Sequence, residues 1–264
     1  MTDLLTPDVV KRDVNRALAR RGGSHTTSLS ELAKFVRVSS LGSCGRQTVL
    51  KARYPRLVTD IDPESSLAML QGDWAEAGMR ALLLEAGFLF RDGQRELSFF
   101  YQGQEVLRGH IDGLIGLDYG ILGGAWALWE NKAMSAFRFK KVHNLGVAAS
   151  SPEYMAQMQT YMWLLRNEGE DIEGTVFTAV AKDPSSVNMG NRGPRIPGIY
   201  VEFVPFDQEM ADGYIERAVD LYQTIEDESN NWPHERNPSK DWDCSEKFCP
   251  VYGLCDPKHT IPRR

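Results

Sequence analysis

The sequence has no long apolar segment. Among its 264 residues, no run of eighteen apolar side chains occurs, which is about the length that a membrane-spanning helix needs. The beginning of the chain contains Asp3 and Asp8 and no apolar stretch, so the pattern of a secretory signal peptide is missing too. We therefore expect a cytoplasmic protein with no membrane segment.

Cysteine is scarce, and its four copies are unevenly placed. Cys44 stands alone, whereas Cys244, Cys249 and Cys255 fall within twelve residues. Thiols stay reduced in the cytosol, so this set favours metal ligation over disulfides. Four thiolates suit an iron–sulfur cluster or a structural zinc ion, and either would join the two ends of the chain.

The chain also lacks an excess of basic residues. Its net charge is −6, which argues against an indiscriminate nucleic-acid coat protein but leaves room for a local basic groove. A hydrophobic content of 42% is enough for a sizeable core, and no internal repeat is apparent. We predict one domain over 1–264. Its parts are an N-terminal helix and linker (1–30), a first cysteine segment (39–60), a core (62–228) and a cysteine-rich segment (230–264).

Hydrophobic periodicity predicts an alternation of helices and strands. A helix from 62 to Gly87 is expected to bury Leu67, Leu70, Trp74, Ala77, Ala81 and Leu84. The other predicted helices are 6–21, 152–167 and 207–227. The predicted strands are a meander of 96–101, 105–116 and 125–132, a buried strand at 174–182 and a strand at 199–203, with a loop at 183–197.

The strongest chemical signal is a group of carboxylates and a lysine on two predicted neighbouring strands. Asp112 ends the segment Gly-His-Ile-Asp, and Glu130 and Lys132 alternate on the next strand. Side chains alternate along a strand, so these three residues can point into one site. A carboxylate pair suits Mg²⁺, and a lysine beside it can position water. The alternative is a surface Glu130–Lys132 pair, with Asp112 in a turn.

The order of these motifs resembles the PD-(D/E)XK nuclease superfamily, in particular the RecB-like exonucleases and the CRISPR-associated four-cysteine members. The resemblance spans about 39–255. It rests on the segment from Gly72 to Glu76, the Gly109–Asp112 strand, the Glu130–Lys132 strand and the helix motif Gln157-Met-Gln-Thr-Tyr161. It implies a restriction-endonuclease-like α/β (mixed α+β) fold, with a central mixed sheet flanked by helices.

The resemblance also implies roles for individual residues. Glu76, Asp112 and Glu130 would bind Mg²⁺ or Mn²⁺ together with the Asn131 carbonyl, and Lys132 would act on the water. Gln157 and Tyr161 would contact DNA near the scissile phosphate. Other readings stay open: Glu76 as an ion-pair partner of Arg80, Tyr161 as a core residue and His110 as a hydrogen-bonded neighbour of the ligands.

In the four-cysteine members, one cysteine precedes the core and three follow it, holding a 4Fe–4S cluster. Cys44, Cys244, Cys249 and Cys255 have this layout. The gap from Cys249 to Cys255 fits the family, but four residues separate Cys244 from Cys249 where two are usual. Structural zinc therefore remains the alternative, and in both cases the metal would act as a staple.

Basic and aromatic residues flank the predicted site in the sequence. Arg46, which we expect to contact DNA, belongs to a group on the N-terminal side of the site, and Arg138, Lys140 and Lys141 lie on the other side. Exposed aromatic rings stack on unpaired bases in many single-strand binders. The candidates for such stacking are Phe137, Phe139 and Trp163.

These features predict a metal-dependent DNA exonuclease in recombination, repair or end processing, in the cytoplasm of a bacterial, archaeal or virus-infected cell. DNA ends, single-stranded or duplex, are the expected partner, and a homo-oligomer or a recombination partner protein is compatible with the sequence. The alternatives are a structure-specific endonuclease, a CRISPR-adaptation end-trimming nuclease and a non-catalytic DNA-end binding module.

Overall fold

The computed structural model describes residues 11–17, 35–54, 63–117, 126–190, 193–227, 244–245 and 249–255. Its strands are β1 (Val36–Arg37), β2 (Phe88–Arg91), β3 (Glu96–Tyr101), β4 (Gln104–His110), β5 (Gly113–Leu117), β6 (Trp126–Met134), β7 (Ile172–Ala181) and β8 (Ile199–Pro205). Its labelled helices are α1 (Gly45–Arg53), α2 (Pro63–Glu85), α3 (Ala136–Ser150), α4 (Pro152–Asn167), α5 (Pro184–Asn188), α6 (Gln208–Glu226) and α7 (Tyr252–Cys255). The predicted mixed α/β class is confirmed.

The larger sheet has five strands in the order β2-β5-β6-β7-β8. Only β6 and β7 are parallel within it, with Glu130 opposite Phe177 and Lys132 opposite Ala179. Parallel neighbours need a long crossover connection, and here α3 and α4 supply it. The strand predicted at 174–182 is β7, which is largely buried and lies between β6 and the edge strand β8.

The smaller sheet has the order β1-β4-β3 and corrects one sequence prediction. The segment 105–116 was expected to be a single strand of a meander, but it forms two strands in different sheets. β4 pairs with β3, whereas β5 pairs with β2 and β6. Between them, Ile111 exchanges backbone hydrogen bonds with Gln94 and Arg95, so Asp112 lies where the chain passes from one sheet to the other.

Helix α2 begins and ends close to the predicted bounds, but its buried face is narrower than predicted. Met79 is buried and packs, with Leu83, near Ile115 and Trp129 of the larger sheet. Five of the six residues of the predicted buried face are exposed instead: Leu67, Trp74, Ala77, Ala81 and Leu84. The helix contacts the sheet along one stripe, so the remaining apolar side chains face outward.

The helices predicted at 152–167 and 207–227 are confirmed as α4 and α6. The apolar residues of α4 and α6 pack into the main core, including Met158, Leu165 and Leu221. Helix α3 was not predicted. It contains a non-helical residue at Gly146 (φ 74°), and the amide of Val147 beyond it donates to the Glu202 carboxylate.

The segment 183–197 was predicted to be a loop, but it contains the short helix α5, capped by the Asp183 carboxylate. Of the predicted N-terminal helix over 6–21, residues 11–17 are helical and the rest lie outside the described residues. Most of 230–264 lies outside them as well. Among the described helices, none combines the length and apolar character that crossing a bilayer demands.

Candidate active site

Strand pairing brings together the three residues of the predicted carboxylate and lysine group. Gly113 of β5 lies opposite Trp129 of β6, which places Asp112 beside Glu130 and Asn131. The Asp112 Oδ2 atom accepts a hydrogen bond of 2.8 Å from the Asn131 amide. The Lys132 ammonium donates to Glu130 Oε1. The alternative of a surface Glu130–Lys132 pair is wrong, because the Glu130 side chain is fully buried.

Glu130 keeps one carboxylate oxygen unpaired. Its Oε2 atom is buried and has no hydrogen-bond partner within the described residues. A buried charged oxygen without a partner is costly, so such an atom points to a ligand or a proton. Burial, with the nearby Asp112 charge, raises the pKa of Glu130 to about 8.

The pKa values of Asp112 and Lys132 are both raised, for different reasons. Burial also raises the pKa of the Asp112 carboxyl, against the effect of Lys132. Burial opposes the charged form of Lys132, but the Glu130 and Asp112 carboxylates outweigh it and raise the pKa of this amine. Lys132 therefore carries its positive charge at neutral pH, between two buried acids.

Glu76 reaches the same acids from helix α2. Burial, followed by the Asp112 charge, raises the pKa of Glu76 to about 7. Its Oε1 atom accepts a hydrogen bond of 3.0 Å from Gln94 Nε2, in the turn between β2 and β3. No sequence pattern indicates Gln94, because its role depends on the way that this turn approaches α2.

The arrangement fits a divalent cation only in part. Asp112, Glu130 and the Asn131 carbonyl are hard oxygen donors of the type that Mg²⁺ and Mn²⁺ prefer, and the unpaired Glu130 Oε2 is available for a cation. Within the part of the chain that the structure describes, however, no three His, Cys, Asp or Glu side chains are arranged closely enough to hold a metal ion. Glu76 in particular is occupied by Gln94.

Gln157 and Tyr161 lie one turn apart on α4. Tyr161 is only 2% exposed, and its hydroxyl approaches Gly109 so closely that a Cβ atom there would lie 2.6 Å from it. Burial raises the pKa of Tyr161, and Gln157 hydrogen-bonds to it. Gln157 is half-buried. The DNA contact of this pair stays a prediction.

Tyr154, which was not predicted for the site, lies beside Lys132, and Arg138, which was predicted only as a flanking basic residue, packs on the same ring. The Lys132 Nζ atom lies 5.3 Å from the centre of the Tyr154 ring, and the Arg138 guanidinium lies 4.5 Å from the same ring. Arg138 also pairs with Glu153. Tyr154 precedes Gln157 by three residues, so helical spacing from that motif could have revealed it.

His110 lies outside this group of side chains. It is half-exposed at the end of β4, and its Nε2 atom is 3.3 Å from Glu96 Oε2. If 105–116 were a single strand, the alternation of side chains would put His110 on the same face as Asp112. The passage from one sheet to the other after His110 separates the two.

The cysteine residues lie near one another, away from the acids. Cys44 directly precedes α1, as predicted, and Cys255 is buried near Leu50 and Val251. All four are free thiols. Burial raises the pKa of Cys249, and the charges of Cys255, Cys244 and Cys44 add to this effect. A metal on these residues stays a prediction, because no described group has a metal-holding arrangement.

Arg46 lies beside these cysteines. Its Nη1 atom is 3.9 Å from Cys255 Sγ. The predicted DNA contact of Arg46 has no structural test.

Three solved structures share the fold of this chain. The protein SSO0001 is 16% identical with a TM-score of 0.57, and the match covers 95% of this chain and 98% of that one. An alkaline exonuclease from Laribacter hongkongensis is 17% identical with a TM-score of 0.50, over 75% of this chain and 91% of that one. A phage-related exonuclease from Haemophilus somnus is 15% identical with a TM-score of 0.50, and the match covers 75% of this chain and 96% of that one.

At these identities the likeness shows a common fold and nothing finer. No protein-family model matches the chain, and no curated protein sequence matches it either. The fold is thus one that exonucleases use, and the mixed sheet flanked by helices is consistent with a restriction-endonuclease-like core.

Proposed function

We propose that this protein is a divalent-metal-dependent DNA exonuclease. The observation that carries the proposal is the buried Glu130 carboxylate, which has an unpaired oxygen beside Asp112 and the charged Lys132. The fold shared with an alkaline exonuclease and a phage-related exonuclease supports the same class of reaction. DNA is accordingly the proposed substrate.

In this proposal, Asp112, Glu130 and the Asn131 carbonyl hold the cation. Glu76 would be a further ligand, in exchange for its hydrogen bond with Gln94. When bound, Mg²⁺ or Mn²⁺ supplies an activated water and polarises the phosphate. The Lys132 ammonium orients that water and offsets the negative charge that develops on the phosphate. The Asn131 amide keeps the Asp112 carboxylate in place through its hydrogen bond.

The test is digestion of end-labelled linear DNA with Mg²⁺, Mn²⁺ or a chelator. The wild type should digest DNA only with metal, and Asp112→Asn and Lys132→Met should lose at least about 100-fold in rate. The first change weakens the proposed cation site, and the second removes the charge that acts on the water and the phosphate. Trp74→Ala, which changes an exposed side chain of α2, is the control variant and should keep the wild-type rate. If Lys132→Met digests DNA at the wild-type rate, the assignment of the site is wrong.

Circular DNA separates an exonuclease from an endonuclease. An exonuclease needs an end, so closed circles should survive under conditions that consume linear DNA of the same sequence. Linearisation of the circles by wild-type protein, but not by Lys132→Met, would favour the endonuclease alternative.

We further propose that Cys44, Cys244, Cys249 and Cys255 hold a 4Fe–4S cluster. The four cysteines lie close enough for their charges to affect one another, and this proximity supports a shared ligand. Protein purified without oxygen should show visible absorption and contain iron. Colourless protein that contains zinc would support the structural zinc alternative instead.

A further inference from the structure

The two most exposed large apolar side chains of the described residues lie at one edge of the larger sheet. Phe137 is 82% exposed and Met189 is 75% exposed. Phe137 lies in the first turn of α3, just after β6 ends at Met134, and Met189 follows α5, just after β7. Because β6 and β7 are parallel, their C-terminal ends meet at the same edge.

A lysine connects these two residues. The Lys140 Nζ atom lies 3.5 Å from the Met189 carbonyl oxygen. Lys140 is also one helical turn after Phe137 on α3, so the two side chains share a face of this helix. We call Phe137, Lys140 and Met189 together the edge patch. It presents an aromatic ring and an apolar side chain beside a positive charge.

The edge patch borders the candidate active site. Arg138 directly follows Phe137, and its guanidinium packs on the Tyr154 ring that also contacts Lys132. Lys132 lies two residues before the end of β6, and Phe137 follows in the first turn of α3, so the edge patch lies at the end of β6 that is nearest to the proposed reaction centre.

Only one of the three aromatic residues proposed for base stacking is largely exposed. Phe139 is fully buried, and the Trp163 indole donates to Asp212 while it packs on Phe99. Phe137 remains. An exposed ring with lysine and arginine beside it is the combination with which proteins bind single-stranded nucleic acid.

We propose that the edge patch binds unpaired bases at the end of a DNA strand, with Phe137 stacking on a base. The preferred substrate is then DNA with a single-stranded end rather than a blunt duplex, whose bases are already stacked on each other. This inference rests on the proposed nuclease function, and it names the form of DNA that the same site takes.

The first test compares kcat/KM for a duplex with a four-nucleotide overhang and for a blunt duplex of the same sequence. Stacking one base is worth enough that Phe137→Ala should lower the ratio of the two values by about 5- to 100-fold. Phe137→Trp should keep the ratio. Phe100→Ala is the matched control, because Phe100 is 62% exposed on β3 of the smaller sheet.

The second test measures binding alone. In the Lys132→Met background, single-stranded DNA with 2-aminopurine at its end should lose fluorescence on binding, because the base stacks on Phe137. The additional change Phe137→Ala should remove this loss, and Phe100→Ala should not.

The two proposals can fail separately. If the wild type cleaves DNA but Phe137→Ala and Phe100→Ala give the same ratio of kcat/KM, the edge patch does not bind unpaired bases and the nuclease function stands. If the wild type cleaves no DNA, the nuclease function fails, and the fluorescence of 2-aminopurine still decides the edge patch.

Discussion

A fully buried glutamate beside a second buried acid is unfavourable unless a cation or a proton compensates its charge. Glu130 has this environment, with Asp112 next to it and Lys132 as its partner. Its pKa is raised to about 8 from an ordinary value of 4.5. The folded protein therefore binds this proton more tightly than the unfolded chain does.

We predict that the metal-free protein loses stability as the pH rises. The contribution of Glu130 to the free energy of unfolding is complete below about pH 4.5 and is lost as the pH rises through about 8. Between these two pH values, the loss is about 1 kcal/mol per pH unit. Urea unfolding with a chelator, from pH 5 to pH 9, measures this loss. Mn²⁺ should reverse it at high pH, and Glu130→Gln should flatten the profile. Parallel profiles for the two proteins would contradict the prediction.

We also predict that Gly109→Ala destabilises the protein by about 1 to 3 kcal/mol, which is typical of overpacking. The new Cβ atom would lie 2.6 Å from the Tyr161 hydroxyl and 2.8 Å from a Val38 methyl. Gly72→Ala in helix α2 is the control, since nothing lies within 4 Å of its Cβ position and alanine favours helix. Equal free energies of unfolding for the two variants would argue against tight packing at Gly109.

At the scale of single residues, the sequence predicted the side chains whose position follows from alternation along a strand. Glu130 and Lys132 are two residues apart on one strand, and this spacing alone places them on one face. Tyr154 and Gln94 were missed as members of the site, and Arg138 was predicted only as a flanking basic residue. Their positions depend on the way that α3, α4 and the turn after β2 pack around the sheet, which local patterns do not encode.

At the scale of elements, the first cysteine segment is held by a helix distant in sequence. The Arg217 guanidinium of α6 donates to the Leu41 carbonyl at 2.9 Å and to the Ser43 carbonyl at 3.0 Å. On its other side, Gly42 is so close to Glu153 that a Cβ atom would lie 2.3 Å from the Glu153 Cα. Cys44 is thus presented from a loop that is fixed on two sides.

We predict that Arg217→Ala destabilises the protein by about 1 to 3 kcal/mol and lowers the metal content of the cysteines, because two carbonyls lose their donors and the loop loosens. Arg217→Lys keeps the charge but cannot make both bonds, so it should have an intermediate effect. Urea unfolding and metal analysis measure the two effects. Full metal content in Arg217→Ala would show that the loop keeps its position without this anchor.

Two elements that the sequence failed to predict have separate physical causes. Helix α3 is interrupted at Gly146, so its apolar residues do not follow one helical period. The segment 105–116 keeps a strand-like composition throughout, and the hydrogen bonds of Ile111 with Gln94 and Arg95 decide where it divides. By contrast, the apolar spacing of α4 and α6 is uninterrupted, and both helices were predicted.

At the scale of the whole molecule, the proposed metal on the cysteines would link positions 200 residues apart in the sequence. We predict that Cys249→Ser removes this link and destabilises the ends of the chain, by at most about 5 kcal/mol in the chain-entropy picture. Limited proteolysis should then cleave 39–60 and the C-terminal segment before it cleaves β5, β6 or α4.

Ser43→Ala, which lies in the same loop and keeps every thiol, is the control for this experiment. Mass spectrometry of the fragments gives the order of cleavage. Simultaneous cleavage of the ends and of the larger sheet would contradict the idea of a staple that is separate from the active site.

The position of Asp112 between the two sheets has a consequence for the time course of folding. Asp112 meets the Asn131 amide once β5 has paired with β6, and Ile111 before it bonds to Gln94 and Arg95 in the turn that leads to β3. We therefore expect the proposed site to form late in folding, after the long-range pairing of the larger sheet. For the proposed nuclease, newly made or misfolded chains would be harmless to the genome of the cell that makes them.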